Sequence, residues 1–200
     1  GKSCAQLFAQ TGARLILAAR RQEKLQTLAT ALEQQYGTKT LLLPLDVQNY
    51  SSVSTDINGL PTDWQTIDVL VNNAGLSRGL DKQHESQVQG WEEMIDTNVK
   101  GLLYVTRAVV PSMVRQNRGH VVNIGSIAAR QTYPGGSVYC ATKAAVKALS
   151  EGLKIDLLGT PVRVTNIEPG LVETEFSAVR FRWDEVRALS VYTGMTPLTP

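Results

Sequence analysis

The chain has little of what specialised small folds depend on. Of 200 residues, two are cysteine (Cys4 and Cys140) and two are histidine (His84 and His120). Two cysteines in a chain of this size make no disulfide framework, so a reducing cytoplasm is the expected compartment. No Cys/His cluster has metal-ligand spacing, so no metal is expected. Neither sign of charge dominates: 20 Lys and Arg stand against 18 Asp and Glu, a net +2. A nucleic-acid partner would call for a basic stripe, and the sequence has none. No apolar run reaches the ~20 residues that span a bilayer, which argues against a membrane role. No signal-peptide pattern is visible. The remaining composition, 42% hydrophobic, suits one domain over residues 1–200 with one sizeable core.

What is present is an alternation. Leu15, Ile16 and Leu17 run without a polar break inside a strand expected over residues 14–19. Further strand-length runs fall at 40–45, 67–71, 120–124 and 162–167. Such runs suit strands of a parallel sheet buried on both faces. Helical patterns lie between them. Leu25, Leu28, Leu32 and Tyr36 form one stripe, and Gly37 stops it. A second helix is expected over 98–115, with Pro111 as a kink or boundary. The longest covers 137–158, ended by Gly159 and Pro161. A helix and a Pro/Thr-rich loop are expected over 183–200. Repeated β-α-β alternation predicts a doubly wound α/β fold, Rossmann-like and three-layered, with right-handed crossovers.

In such a sheet, ligands bind at the carboxyl ends of the strands. The polar and glycine motifs fall there, one after each strand: Arg20 and Arg21; Asp46; Asn72 to Gly75; Gly125 and Ser126; Pro169 and Gly170. Turn punctuation explains any one of them, but not five on one rim. Thirteen residues after Ser126 comes Tyr139, followed four later by Lys143. With six Tyr and eight Lys in the chain, chance alone gives about 0.24 such pairs. It is the surrounding rim that makes this one a candidate.

On these residues the chain resembles the short-chain dehydrogenases/reductases. Asn-Asn-Ala-Gly at 72–75, then Asn98, Ser126, Tyr139, Lys143 and Pro169-Gly170 match that family's motifs in order and spacing. The resemblance implies hydride transfer with a tyrosine acid/base. Residues four apart share a helix face, so Tyr139 and Lys143 can enter one cleft. A neighbouring cation favours the phenolate, and Lys143 is expected to lower the Tyr139 pKa in this way. The family pattern gives Lys143 a hydrogen bond to the nicotinamide ribose, Ser126 the substrate oxygen, and Asn98 a water that links Lys143 to solvent. Asp46 and Val47 resemble the adenine contact. Asn72, Ala74 and Gly75 allow backbone approach to the adenine ribose. Pro169, Gly170, Val172 and Thr174 fall at the nicotinamide end, with Thr174 at the position that bonds the carboxamide.

Cofactor choice follows from charge. An NAD enzyme places a carboxylate after the second strand, for the ribose 2′-hydroxyl. Here Arg20 and Arg21 stand at that place, and guanidiniums suit a 2′-phosphate. NADP is therefore expected. Gly1 fits the last glycine of the family's Gly-x-x-x-Gly-x-Gly turn, with the first helix from Cys4 to Gly12 facing the pyrophosphate. On this reading the first strand, most of the glycine turn and a last strand lie outside the 200 residues. A sheet lacking its central strand would leave two neighbours unpaired.

The segment 168–182 resembles the NADP-dependent 3-hydroxy acid dehydrogenases of the family, which oxidise serine, allo-threonine and related acids. Arg180 or Arg182 is a candidate for the substrate carboxylate; the alternative is a surface arginine near Asp184 and Glu185. Two other readings stay open: a reductase of a larger apolar carbonyl, and an NADP-binding module without turnover. The family pattern also implies a homodimer or homotetramer. His84 and His120 have no triad partner, and Cys140 reads as a small buried hydrophobe.

Overall fold

The computed structural model describes residues 1–200. Five parallel strands alternate with helices, and these form two sheets. In the first, β1 (Leu15–Ala19) pairs with β2 (Thr40–Pro44), Leu15 opposite Thr40. In the second, β3 (Val69–Asn72), β4 (His120–Ile124) and β5 (Arg163–Ile167) lie in that order. Val69 faces His120, and His120 faces Arg163. β1 and β3 are not hydrogen-bonded to each other. This is the Rossmann-like arrangement expected, with β1 and β3 as the two unpaired neighbours. No helix is long and apolar enough to cross a membrane.

The helices follow from their apolar stripes. α1 (Lys2–Gln10) and α2 (Gln22–Tyr36) cover the first sheet. Ala5, Ala9, Leu17, Leu25, Ala29 and Leu32 form the core there, with Leu28 and Tyr36 against its margin. Gly37 ends α2 in the left-handed conformation at φ 65°, and its N–H bonds the Glu33 carbonyl at 2.8 Å. Only glycine adopts that conformation at little cost. α3 (Tyr50–Asn58) was not apparent in the sequence. Its start is fixed by Asn49, whose side chain accepts from the Ser52 N–H at 3.0 Å.

Two expectations are corrected. The second helix begins ten residues earlier than 98. α4 (Val88–Ile95), a wide π-helical turn at Asp96–Gly101 and α5 (Leu102–Arg115) follow without a break. Pro111 sits inside α5. A mid-helix proline costs about 3 kcal/mol, and the buried Val109, Val110 and Met113 around it offset that by packing on Val121 and Val162. The strands, too, are not all buried on both faces. β4 fits, but in β5 alternate residues are exposed, and Ala18 and Ala19 of β1 are open. β5 ends the order of the second sheet, and β1 has one partner only.

The chain closes with α6 (Ser137–Asp156), the short α7 (Phe176–Arg180) and α8 (Glu185–Ser190). α6 carries Tyr139, Lys143, Val146 and Ser150 on its buried face, the alternation of three- and four-residue steps expected of a single stripe.

Candidate active site

Because all strands run parallel, their carboxyl ends share one side of each sheet. Asn72 ends β3 with its side chain turned inward. It donates to Asn123 Oδ1 at 2.8 Å and Thr106 Oγ1 at 3.1 Å, and Asn123 donates on to Ser150 at 2.9 Å. This buried chain of amides and hydroxyls braces β3 and β4 against α5 and α6. Beyond it the backbone carries Asn73, Ala74 and Gly75 to the rim.

Asn98 is 2% exposed. Its side chain accepts from the Leu76 N–H at 2.8 Å, donates to the Leu76 carbonyl at 2.8 Å, and donates to Thr142 Oγ1 at 3.0 Å. The π-turn permits this inward aim, and such turns gather at functional sites. Asn98 thereby ties the rim loop to α6 one residue from Lys143. The Lys143 Nζ lies 2.8 Å from the Ile124 carbonyl and 5.9 Å from the centre of the Tyr139 ring. Ser126 stands two residues past the end of β4 and caps a short 3-10 turn, accepting from the Ala128 N–H at 3.1 Å.

Electrostatics at Tyr139 differ from the sequence expectation. Burial pushes its hydroxyl above the ordinary value, while Ser126 and then Arg180 pull it back. Lys143 is not among the groups that lower it. Its ammonium is turned to the Ile124 carbonyl, and burial brings Lys143 itself down to about 8. The cation that lowers the Tyr139 value is Arg180, 5.7 Å from the ring centre, against 5.9 Å for Lys143.

Arg180 is 7% exposed, so the surface alternative is excluded. Its guanidinium lies 5.7 Å from the Tyr139 ring centre and 5.3 Å from that of Phe176, and donates to the Tyr133 hydroxyl at 3.2 Å. Arg180 Nε is buried without a hydrogen-bond partner, and no carboxylate pairs with the side chain. Arg182, by contrast, is spent on Glu93 at 2.9 Å. Tyr133 and Phe176 were missed as site residues. The signal for Tyr133 was the glycine pair behind it. A Cβ at Gly136 would lie 2.2 Å from the Tyr133 ring, and one at Gly135 (φ 71°) would lie 2.1 Å from the Leu80 carbonyl.

Several rim features fit a bound dinucleotide. A Cβ on Gly75 would stand 3.4 Å from Asn98 Oδ1 and 3.5 Å from Lys143 Nζ, narrowing the cleft. A Cβ on Gly1 would lie 2.8 Å from Asn73 Nδ2, so the start of α1 stands against the end of β3. Arg21, just after β1, and Lys24 both bind the carboxylate of Glu175, so two cations already hold one anion there. Arg20 is exposed and makes no ion pair. Asp46 accepts from the Gln48 N–H at 3.0 Å, and Val47 packs over Gly101, where a Cβ would lie 2.6 Å from it. Pro169 accepts from the Ile127 N–H at 3.1 Å, holding the β5 end beside Ser126. Gly170 continues from it, Val172 bridges to Leu198, and the Thr174 hydroxyl accepts from the Phe176 N–H at 3.1 Å. His120 bonds Thr165 at 2.8 Å, and Cys140, 2% exposed, packs in the same buried cluster as Tyr139.

Fold and cleft together define a dinucleotide-dependent oxidoreductase, and the chain belongs to the short-chain dehydrogenases, whose family profile matches residues 1–185. Among its relatives is the NADP-dependent 3-hydroxy acid dehydrogenase YdfG of Salmonella typhi, 51% identical over 201 residues, which span 100% of this chain and 79% of that protein. An NADP-dependent 3-hydroxy acid dehydrogenase of Schizosaccharomyces pombe is 44% identical, over 100% of this chain and 78% of that protein. Among solved structures, the closed form of a serine dehydrogenase complexed with NADP+ superposes with a TM-score of 0.94 at 48% identity, covering 100% of this chain and 79% of the other.

Proposed function

We propose that the protein oxidises the hydroxyl of a short 3-hydroxy acid with NADP+, or reduces the corresponding oxo acid with NADPH. One observation carries the substrate class: Arg180 is a buried cation beside Tyr139 with an unpartnered Nε and no carboxylate of its own. A buried charge without a partner is expensive. A substrate carboxylate removes that expense, and an uncharged alcohol does not. The relatives named for 3-hydroxy acids and serine support the same class.

Each residue has a chemical task in this reading. Arg180 binds the carboxylate and so fixes the distance from Tyr139 to the 3-hydroxyl. Ser126 holds the reacting oxygen as charge develops on it. Tyr139 takes the hydroxyl proton in oxidation and returns it in reduction. Lys143 and Asn98 orient the rim next to Tyr139. Arg20, Arg21 and Lys24 offer donors to the 2′-phosphate, and the 72–75 loop to the adenine ribose. NADP(H), when bound, accepts or supplies the hydride.

The test compares a 3-hydroxy acid with its methyl ester, which keeps the shape and removes the charge. Arg180→Met should raise KM for the acid about 10- to 100-fold, the range for a charge-assisted hydrogen bond. KM for the ester should change less than threefold. Equal losses on both substrates would overturn the assignment. Tyr139→Phe should bind NADPH normally and lose turnover on both.

A further inference from the structure

The ion pair at Glu175 links two parts of the site. Glu175 stands immediately before α7, the helix that carries Arg180. Its Oε2 accepts from Arg21 at 2.8 Å, and its Oε1 accepts from Lys24. Arg21 and Lys24 belong to the start of α2, beyond β1, on the side of the other sheet. The contact therefore joins the nucleotide-binding rim to the substrate-binding segment, 154 residues apart in sequence. Both carboxylate oxygens are used, and hydrogen bonds from Lys24 and then Arg21 hold the Glu175 carboxyl below its ordinary value. Trp183, just past α7, places its ring 6.0 Å from the Arg21 guanidinium.

We propose that Glu175 is a positioning residue that sets nucleotide selectivity, by competing with the 2′-phosphate for Arg21 and Lys24. This rests on the reading that those cations receive the 2′-phosphate. A carboxylate and a phosphate monoester ask for the same N–H donors. The phosphate brings about two charges and three acceptor oxygens against one and two, so it displaces the glutamate. A 2′-hydroxyl brings no charge and does not. Displacement also frees the start of the segment that holds Arg180, so nucleotide capture and substrate-site geometry are coupled through one side chain. Exposed ion pairs are weak, so the competition is modest in size.

The probes are 2′-AMP and 5′-AMP, titrated against the whole chain by calorimetry, with Trp183 emission as a second readout. Glu175→Gln keeps the shape and removes the charge. It should bind 2′-AMP about fivefold more tightly than the wild type, about 1 kcal/mol, and bind 5′-AMP within twofold. Glu175→Ala should match it. An unchanged or weaker affinity for 2′-AMP in both variants would overturn the proposal. The two readings separate cleanly. If the wild type binds 2′-AMP no better than 5′-AMP, the cations are not a 2′-phosphate site and the cofactor assignment fails as well. If the wild type discriminates and the variants match it, only the role of Glu175 fails.

Discussion

Lys143 shows how far one side chain can depart from its expected part. The Tyr-x-x-x-Lys spacing correctly put both residues on one face of α6, because the helix repeat alone decides that. It did not show where the ammonium goes, since the Ile124 carbonyl that accepts it comes from β4, nineteen residues away. The consequence is measurable. Burial depresses the folded-state value to about 8 from 10.5. Below pH 8 both folded and unfolded chains carry the proton, and the cost of burying the charge is fully present. Between about 8 and 10.5 the folded chain has released a proton that the unfolded chain retains. Stability therefore rises with pH in that window, by at most about 1.4 kcal/mol per pH unit. Tyr139 acts the other way only above its ordinary value of 10, because its raised pKa makes the folded form hold the proton longer. Denaturant unfolding at pH 7.5, 8.5 and 9.5 should show the wild type gaining on Lys143→Met across this series. A constant difference between the two would show that Lys143 is not titrating there.

At the scale of elements, the five strands and the long helices were legible because they carry continuous apolar runs or a full stripe. α3 and α4 were not. α3 shows one fully buried residue, Val53, and its start depends on the Asn49 cap, a signal no stronger than any loop asparagine. The π-turn leaves no periodic trace at all, yet it aims Asn98 inward. α7 was read as a substrate segment, but not how it is held. Arg78 donates to Glu93 and to the Val179 carbonyl, Arg182 donates to the same Glu93, and the Gly79 N–H bonds the Arg180 carbonyl at 3.1 Å. Burial alone would raise the Glu93 carboxyl, but hydrogen bonds from Arg78 and Arg182 override it and hold the value low. Next to the clamp, Arg182 and Trp183 stand at φ 53° and 72°, a conformation that side chains avoid, with the Trp183 N–H bonded to the Ala178 carbonyl at 2.7 Å. Arg78→Ala should release α7 and with it Arg180. The expected result is a KM for the 3-hydroxy acid raised about tenfold, from the loss of roughly 1–2 kcal/mol of hydrogen bonding. Affinity for NADPH should stay within twofold. Arg78→Lys should not restore KM, because an ammonium lacks the planar fork that meets Glu93 and Val179 together. Full recovery in Arg78→Lys would show that charge alone suffices.

At the scale of the 200 residues, the buried side chains fall into three clusters, one on each sheet and a third around Tyr139. Ala5, Ala9, Leu17, Leu25, Ala29 and Leu32 serve β1 and β2. Val109, Val110, Met113, Val121, Leu157 and Val162 serve β3 to β5. Between the two sheets and their helices run polar contacts: Arg14 to Asp63, and Arg21 and Lys24 to Glu175. These are exposed, and such contacts contribute little to cohesion. In the 200-residue chain, residues 15–44 should therefore open more easily than β4 and β5, as regions with few shared buried contacts do. A dinucleotide gripped by Arg21 on one side and Tyr139 and Lys143 on the other would bind only the closed arrangement. Anything that binds the native form alone stabilises it by about 2.7 kcal/mol at a hundredfold excess over Kd. Amide exchange should show β1 and β2 exchanging faster than β4 without nucleotide, and slowing about a hundredfold or more with saturating NADPH. Protection in β4 should change less, because its core closes without the nucleotide. Equal exchange in the two layers, both before and after NADPH, would mean that the polar contacts already lock them into one unit. The site would then be assembled in advance, and nucleotide binding would contribute contacts but no closure.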